Sequence, residues 1–296
     1  MNACFAGIFL ICSAVSCTAQ QTEDFKIQKT GNSLLWQVSG NELKKPSFLF
    51  GTFHLLCKND IQISGQLKDA IRVADNVYME LDMDDPSTLL GGMLYMNMID
   101  GRNLRDLYTE EEYAKVRTFF EDTLHVPIMM FQKAKPYFLV ALLYPRMLAC
   151  KQMGSIEEEL VKVAKQNNKE ILGLETIQLQ ASIFDSIPYE WQAKELLKNI
   201  DSVAFYQEEF NEMLRMYKSQ DMDSIESMVG KSEFGSEEYQ ELLINKRNRS
   251  WVHTLKKVMK TESVFVAVGT GHLTGENGLI SLLRKEGYWV EPLVNK

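Results

Sequence analysis

Two apolar runs, more than two hundred residues apart, each end in a glycine followed three positions later by a histidine. The first is Ser47-Phe48-Leu49-Phe50 entering Gly51-Thr52-Phe53-His54. The second is Val264-Phe265-Val266-Ala267-Val268 entering Gly269-Thr270-Gly271-His272. An unbroken apolar run of this length, bounded by glycine, reads as a buried strand. A strand that stops at a glycine and then presents an imidazole is a way of building a site. Its repetition predicts one site with two matching halves, holding a metal or a polarised substrate between them.

Around these runs the ends of the chain alternate strand and helix. Residues 34–39 and 47–51 read as a hairpin turned by Gly40-Asn41. Residues 64–74 have helical spacing at Leu67, Ala70, Ile71 and Ala74 with Ser64 as cap, and Asn76-Val77-Tyr78-Met79-Glu80-Leu81-Asp82 is a strand. The C-terminal part reads as strand 264–269, helix 278–286 and strand 288–294. Between them, from about 87 to 259, the pattern is amphipathic helix: 110–124, 137–149, 156–166, 191–220 and 237–258, interrupted by a strand at 169–175. Each histidine segment thus opens a strand–helix–strand unit whose second strand carries a glutamate, Glu80 or Glu291. This predicts an internal duplication with parallel neighbours and right-handed crossovers. The expected fold is α/β (α+β): a central mixed sheet from two strand–helix–strand halves, residues 30–294 forming one domain, with the helical insertion lying over one edge as a lid.

A net charge of −8 argues against a nucleic-acid surface and against anionic lipid. Residues 1–19 read as an export signal, with an apolar stretch from Ala6 to about Val15 too short to span a bilayer as a stable helix. Ala14-Val15-Ser16-Cys17 resembles a bacterial lipobox with Cys17 lipidated, whereas Cys17-Thr18-Ala19 before Gln20 suits ordinary signal peptidase. Either places the protein in the periplasm or lipid-anchored in the cell envelope, and Cys17 is the only expected membrane link. The mature chain then keeps Cys57 and Cys150, an even pair compatible with one disulfide or with two buried thiols.

In open α/β sheets, ligands bind beyond the carboxyl ends of the strands. His54 and His272 follow their strands, Glu80 sits late in its strand, and Glu175 ends Ile171-Leu172-Gly173-Leu174. Two imidazoles with one or two carboxylates suit Zn²⁺, Mn²⁺, Fe²⁺ or Co²⁺ and leave a position open for water, whose pKa a metal lowers. Against this stand plainer roles. Glu80 with Asp82, Asp84 and Asp85 reads equally as an acidic turn, Glu175 as a dipole partner of the following helix, and Arg247 as part of a solvated basic run. His125 and His253 have no companion pattern. No Gly-x-Ser-x-Gly elbow, phosphate-cradling loop, His-Glu-x-x-His or Cys-x-x-Cys is present.

Five segments together carry a resemblance: Phe48-Leu49-Phe50-Gly51-Thr52-Phe53-His54-Leu55, Tyr78-Met79-Glu80-Leu81-Asp82, Gly173-Leu174-Glu175-Thr176 with Gln178 and Gln180, Arg247-Asn248, and Val266-Ala267-Val268-Gly269-Thr270-Gly271-His272-Leu273-Thr274-Gly275. In this order, across roughly residues 30–294, the chain resembles the TraB/GumN family, which belongs with the TIKI-like metalloproteases. The resemblance implies a fold related to erythromycin esterase and ChaN-like proteins, with a divalent metal, Mn²⁺ or Co²⁺, held between the two Gly-x-x-His motifs. It matches His54 and His272 to the motif histidines and Glu80 to the acidic strand residue, and Glu175 and Arg247 to further recurrent polar positions. Thr270 departs from the alanine expected there. The expectation is an exported metal-dependent hydrolase acting on a peptide or small molecule. His54, Glu80 and His272 would hold the metal, Glu175 would act as base and Arg247 would stabilise the oxyanion. The alternative is a non-catalytic envelope protein binding a peptide, haem or other ligand in the same pocket. A third reading gives the apolar stripe Met213-Leu214-Met216-Tyr217 to a partner protein.

Overall fold

The computed structural model describes residues 32–148, 150, 152–231 and 237–296. The export segment, with Cys17, lies outside them. Eight strands are present among the described residues: β1 Leu35–Ser39, β2 Ser47–Thr52, β3 Leu56–Cys57, β4 Asn76–Met79, β5 Met153–Gly154, β6 Ile171–Gly173, β7 Val264–Gly269 and β8 Trp289–Pro292. Six form one mixed sheet in the order β6-β4-β7-β2-β1-β8, and β3 pairs with β5 in a separate ladder. Strands β6, β4, β7 and β2 run parallel, and β1 is antiparallel to both of its neighbours. The fold is therefore the mixed α/β sheet expected.

The apolar runs occupy the centre. Every residue of β2 is buried, as is all of β7 except its final glycine. Strands covered on both faces have no solvated side to alternate with, which is why these runs are continuous. Phe48, Phe50 and Phe265 are almost wholly buried, each contributing about 2–3 kcal/mol of apolar transfer free energy. Because β2 and β7 are neighbours, with Gly51 opposite Val268 and Thr52 opposite Gly269, the two Gly-x-x-His turns leave the sheet side by side.

The strand–helix–strand units differ from expectation in their pairing. The first passes from β2 through helix Gly65–Val73 to β4, stepping over β7. The second passes from β7 through helix Leu279–Lys285 to β8, stepping over β2 and β1. Neither joins adjacent strands. A fully apolar β7 is best covered with a strand on each side, whereas β8, with exposed Trp289 and with Pro292, suits an edge. Glu291 consequently lies opposite Gln37 at that edge, far from the site.

Two of the long helices are broken. Residues 137–149 divide into Pro136–Ala141 and Tyr144–Met147, because Pro145 has no N–H to donate and its ring collides with the carbonyl of Ala141. The run 191–220 divides into Tyr189–Asp201 and Val203–Ser219 at Ser202, whose ψ of 37° leaves the helical region. The stripe on the second helix is core: Leu214 and Tyr217 are buried. Phe53 packs against Phe210 and Tyr217 at ring separations of 5.6 and 5.3 Å, and the Tyr217 hydroxyl donates to the Gly51 carbonyl at 3.1 Å. The helical middle thereby clamps the first histidine turn. Among the described residues no helix is long and apolar enough to cross a membrane.

Cys57 and Cys150 form a disulfide across a sequence separation of 93. It sits at the end of the β3–β5 ladder, where the Lys58 N–H also donates to the Gln152 carbonyl at 2.9 Å. Closing a loop of this length in the unfolded chain is worth about 4.7 kcal/mol by loop entropy. The Cys57→Ala/Cys150→Ala variant should therefore unfold at lower denaturant with an unchanged far-ultraviolet spectrum, and coincident unfolding curves would refute that contribution.

Candidate metal centre

Four parallel strands in a row deliver one polar side chain each beyond their carboxyl ends: Glu175 after β6, Glu80 after β4, His272 after β7 and His54 after β2. Glu80 is turned inward, its side chain 14% exposed, while Asp82, Asp84 and Asp85 stay in the outer turn, where Asp85 caps helix Pro86–Tyr95. Gly269 is the hub. A Cβ there would stand 3.3 Å from Glu80 Oε1, 3.8 Å from His272 Cδ2 and 4.0 Å from His54 Nε2. The Gly269 N–H donates to Glu80 Oε1 at 2.8 Å. Its φ of −49° is open to any residue, so what glycine offers here is close approach and not backbone freedom. At Gly51 the same holds, since a Cβ would meet Thr270 Oγ1 at 2.9 Å. Thr270 also has a structural use: its hydroxyl donates to the Thr52 carbonyl at 2.8 Å, tying the two turns together.

Hydrogen bonds set the tautomer of His272. Asn248, fully buried, donates through Nδ2 to the carbonyls of His272 and Asn277, so its Oδ1 is the atom 2.7 Å from His272 Nδ1. That oxygen only accepts, hence Nδ1 carries the hydrogen and Nε2 keeps its lone pair. Arg247 Nη1 donates to that lone pair at 3.0 Å. On the other side, His54 Nδ1 lies 2.7 Å from Glu157 Oε1, and Glu157 Oε2 accepts from Ser155 Oγ at 2.5 Å. His54 therefore also turns Nε2 toward Gly269. A carboxylate or amide oxygen on the outer nitrogen of each ligand imidazole is the arrangement found behind metal-bound histidines.

Burial pushes the His272 imidazole down to about 3, so it is neutral through the ordinary pH range. Burial acts to raise Glu80, but His272, Arg247, His54 and the Gly269 N–H outweigh it and hold the carboxyl at about 2. The Glu157 hydrogen bond raises His54 to about 9, an effect that solvent screens because the His54 side chain is 75% exposed. The site is therefore open on the His54 side and closed behind His272.

Arg247 is wedged among these groups. Its Nη2 bonds Glu80 Oε2 at 2.7 Å and Glu175 Oε1 at 2.6 Å, and Nε reaches both Glu175 oxygens at 3.1 Å. Glu175 also accepts from Trp251 Nε1 and from Gln180 Nε2, each at 3.2 Å. The Arg247 guanidinium lies 4.7 Å from the Trp251 ring centre, one helical turn away. Among the described residues no group of three His, Cys, Asp or Glu side chains is drawn together as in a formed metal centre. The guanidinium fills part of that space, and His272 Nε2 stands 3.9 Å from Glu80 Oε1. The donor chemistry nevertheless fits a divalent cation, provided it displaces the His54 proton: two Nε2 atoms with oriented partners and one ionised carboxylate, converging on a glycine that leaves room.

Sequence reading singled out His54, Glu80, Glu175, Arg247 and His272, and the structure brings all five together. It missed Glu157, whose place after Ser155 at the start of helix Ile156–Gln166 reads as an ordinary capping pattern. Asn248 and Gln180 stood in the resembling segments without a role. His125 and His253 are exposed elsewhere.

Metal-free stability should rise with pH between about 3 and 6.5, where an unfolded His272 binds a proton that the folded one refuses. It should fall between 6.5 and about 9, where folded His54 still holds its proton, and this slope is the shallower because the ring is exposed. Imidazole ¹⁵N titration would show both, and Glu157→Gln should return His54 toward 6.5. An unshifted His54 in the parent protein would contradict the pairing.

The chain is 22% identical to "Metalloprotease TIKI1" of Danio rerio, covering 88% of this chain and 63% of that protein. It is 22% identical to "Metalloprotease TIKI2" of Danio rerio, covering 89% and 61%. To "Metalloprotease TIKI1" of Homo sapiens it is 20% identical, covering 88% and 62%. The chain thus spans under two thirds of the length of these relatives. No solved structure matches it. The profile of the TraB/PrgY/gumN family matches residues 34–292, and with both Gly-x-x-His turns inside that span, the chain belongs to the TraB/PrgY/gumN family.

Proposed function

We propose that this protein is an exported, divalent-metal-dependent hydrolase acting on peptides. The observation that carries the reading is the convergence of His54 Nε2, His272 and Glu80 on Gly269, and the metalloprotease names of its relatives support it. His54, Glu80 and His272 would hold the ion, with Mn²⁺ or Co²⁺ favoured. When bound, such an ion supplies Lewis acidity and lowers the pKa of water at the site.

The chain's own residues divide the remaining work. Glu157 and Asn248 hold the two imidazoles in the tautomer that presents Nε2. Arg247 brings a fixed positive charge beside Glu80, suited to holding a substrate carbonyl as it gains negative charge. Glu175 is assigned here to positioning Arg247 instead of taking a proton. Both of its oxygens are engaged by Arg247, Trp251 and Gln180, and its side chain is only 1% exposed. Substrate approaches from the open His54 side. The Cys57–Cys150 disulfide supports export, since such bonds persist in oxidising compartments.

Chelator-treated protein should cleave a mixed peptide library only after Mn²⁺ or Co²⁺ is restored. His54→Ala and His272→Ala should each lower kcat/KM by about 100-fold or more, as loss of a catalytic group does. Protein that binds peptide with any of Mn²⁺, Co²⁺, Zn²⁺ and Fe²⁺ but never cleaves it would leave the binding-protein reading in its place. Mass spectrometry of the protein from envelope fractions should find the mature chain starting at Cys17 with lipid or at Gln20, and an intact Met1 would defeat the export reading.

A further inference from the structure

Arg247 has five N–H bonds, and all five are used. Nε–H is shared by the two Glu175 oxygens, one Nη2–H goes to Glu175 Oε1, and one Nη1–H goes to the Leu243 carbonyl at 2.9 Å. The remaining two go to His272 Nε2 and Glu80 Oε2, which are the lone pairs that a cation between these residues would take. The fork thus divides into an anchor of three bonds on groups outside the candidate ligand set and two bonds on groups inside it. The anchor is well buried, with the Arg247 side chain 11% and Glu175 1% exposed, and Trp251 packs on the guanidinium face. It is also held by the backbone. Arg247 follows the π-turn Glu241–Asn245, which adds a residue to the helical register, and the Leu243 carbonyl that it bonds lies in that turn.

We propose that Arg247 is a resident counter-cation of the metal centre. In the metal-free protein it occupies the two ligand lone pairs, keeps Glu80 and Glu175 from repelling each other and holds the ligands in place. On metal binding it gives up its bonds to His272 and Glu80 while Glu175 and Leu243 retain it beside the ion. Beside the role toward substrate given above, Arg247 therefore sets metal affinity. It lowers affinity, because a guanidinium held against the site both competes for the ligands and repels a divalent ion. In return the site stays assembled when empty of metal. A lysine would not substitute, since its ammonium cannot span two carboxylates, a carbonyl and an imidazole with a planar fork. The inference rests on the metal reading of the site.

The test compares metal-free parent protein with Arg247→Met and Arg247→Lys. Co²⁺ binding is followed by visible absorption and Mn²⁺ binding by calorimetry. Arg247→Met should bind Co²⁺ at least about tenfold more tightly than the parent, with Arg247→Lys between them, because the competing charge is removed or loosened. A merely structural arginine would give the opposite, weaker binding in a disturbed site. Should Arg247→Met fold only with metal present, the parent alone still decides the matter. On Zn²⁺ addition the Arg247 guanidinium ¹⁵N signals should show Nη changing environment while Nε, on Glu175, stays. Equal or weaker Co²⁺ binding by Arg247→Met, or an unmoved Nη on saturation of the parent, overturns the proposal and leaves the metal site standing. Failure of parent and variants alike to bind any of these ions overturns the metal reading and this inference with it.

Discussion

The parallel pairing of β2 with β7 is the interaction on which everything else depends. Two segments more than two hundred residues apart become neighbours, with Thr52 opposite Gly269. Their turns are then locked together by the bond from Thr270 to the Thr52 carbonyl. The pairing is driven by burial: both strands are apolar on both faces, so only the middle of a covered sheet satisfies them. Once it forms, β4 and β6 fall in on the same side of β7, and four strand ends deliver His54, His272, Glu80 and Glu175 in sequence across the sheet.

The supporting elements then fix orientation. The β3–β5 ladder and the Cys57–Cys150 bridge bring the chain around 54–57 against the chain around 150–157, which is what places Glu157 behind His54. Helix Lys246–Val258, re-aimed by the π-turn before it, supplies Arg247, Asn248 and Trp251 together. The large helical middle, which looks like an appendage in sequence, therefore provides most of the side chains that orient the four strand-end residues, the Gly269 N–H on Glu80 coming from β7.

The centre is also a balance of charge. Two buried carboxylates share one guanidinium, and removing one partner from such a cluster typically destabilises by about 3–5 kcal/mol. The ionised Glu80 is a product of this balance, whereas burial is what keeps His272 neutral. The same cluster that stabilises the fold also holds the groups suited to bind a cation.

Much was legible in sequence because local chemistry announces itself. Continuous apolar runs declared buried strands, glycines declared close approach, and residues just after strands declared the carboxyl edge; Ser64 capping the first helix was equally readable, and its hydroxyl accepts from the Leu67 N–H. Pairing order was not, since a strand's pattern states how buried it is but not which neighbour covers it. That is why β7 entered between β2 and β4, and why Glu291 fell at the far edge. The role of Glu157 was hidden for the same reason: its partner is 103 residues away, and in sequence it looks like a helix-capping acid. Sequence alone determined which polar residues follow the parallel strands and that they lie at the carboxyl ends. Only tertiary structure decided which nitrogen of each imidazole faces inward, and that Glu175 spends its oxygens on Arg247, because both depend on hydrogen-bond partners brought together by long-range packing.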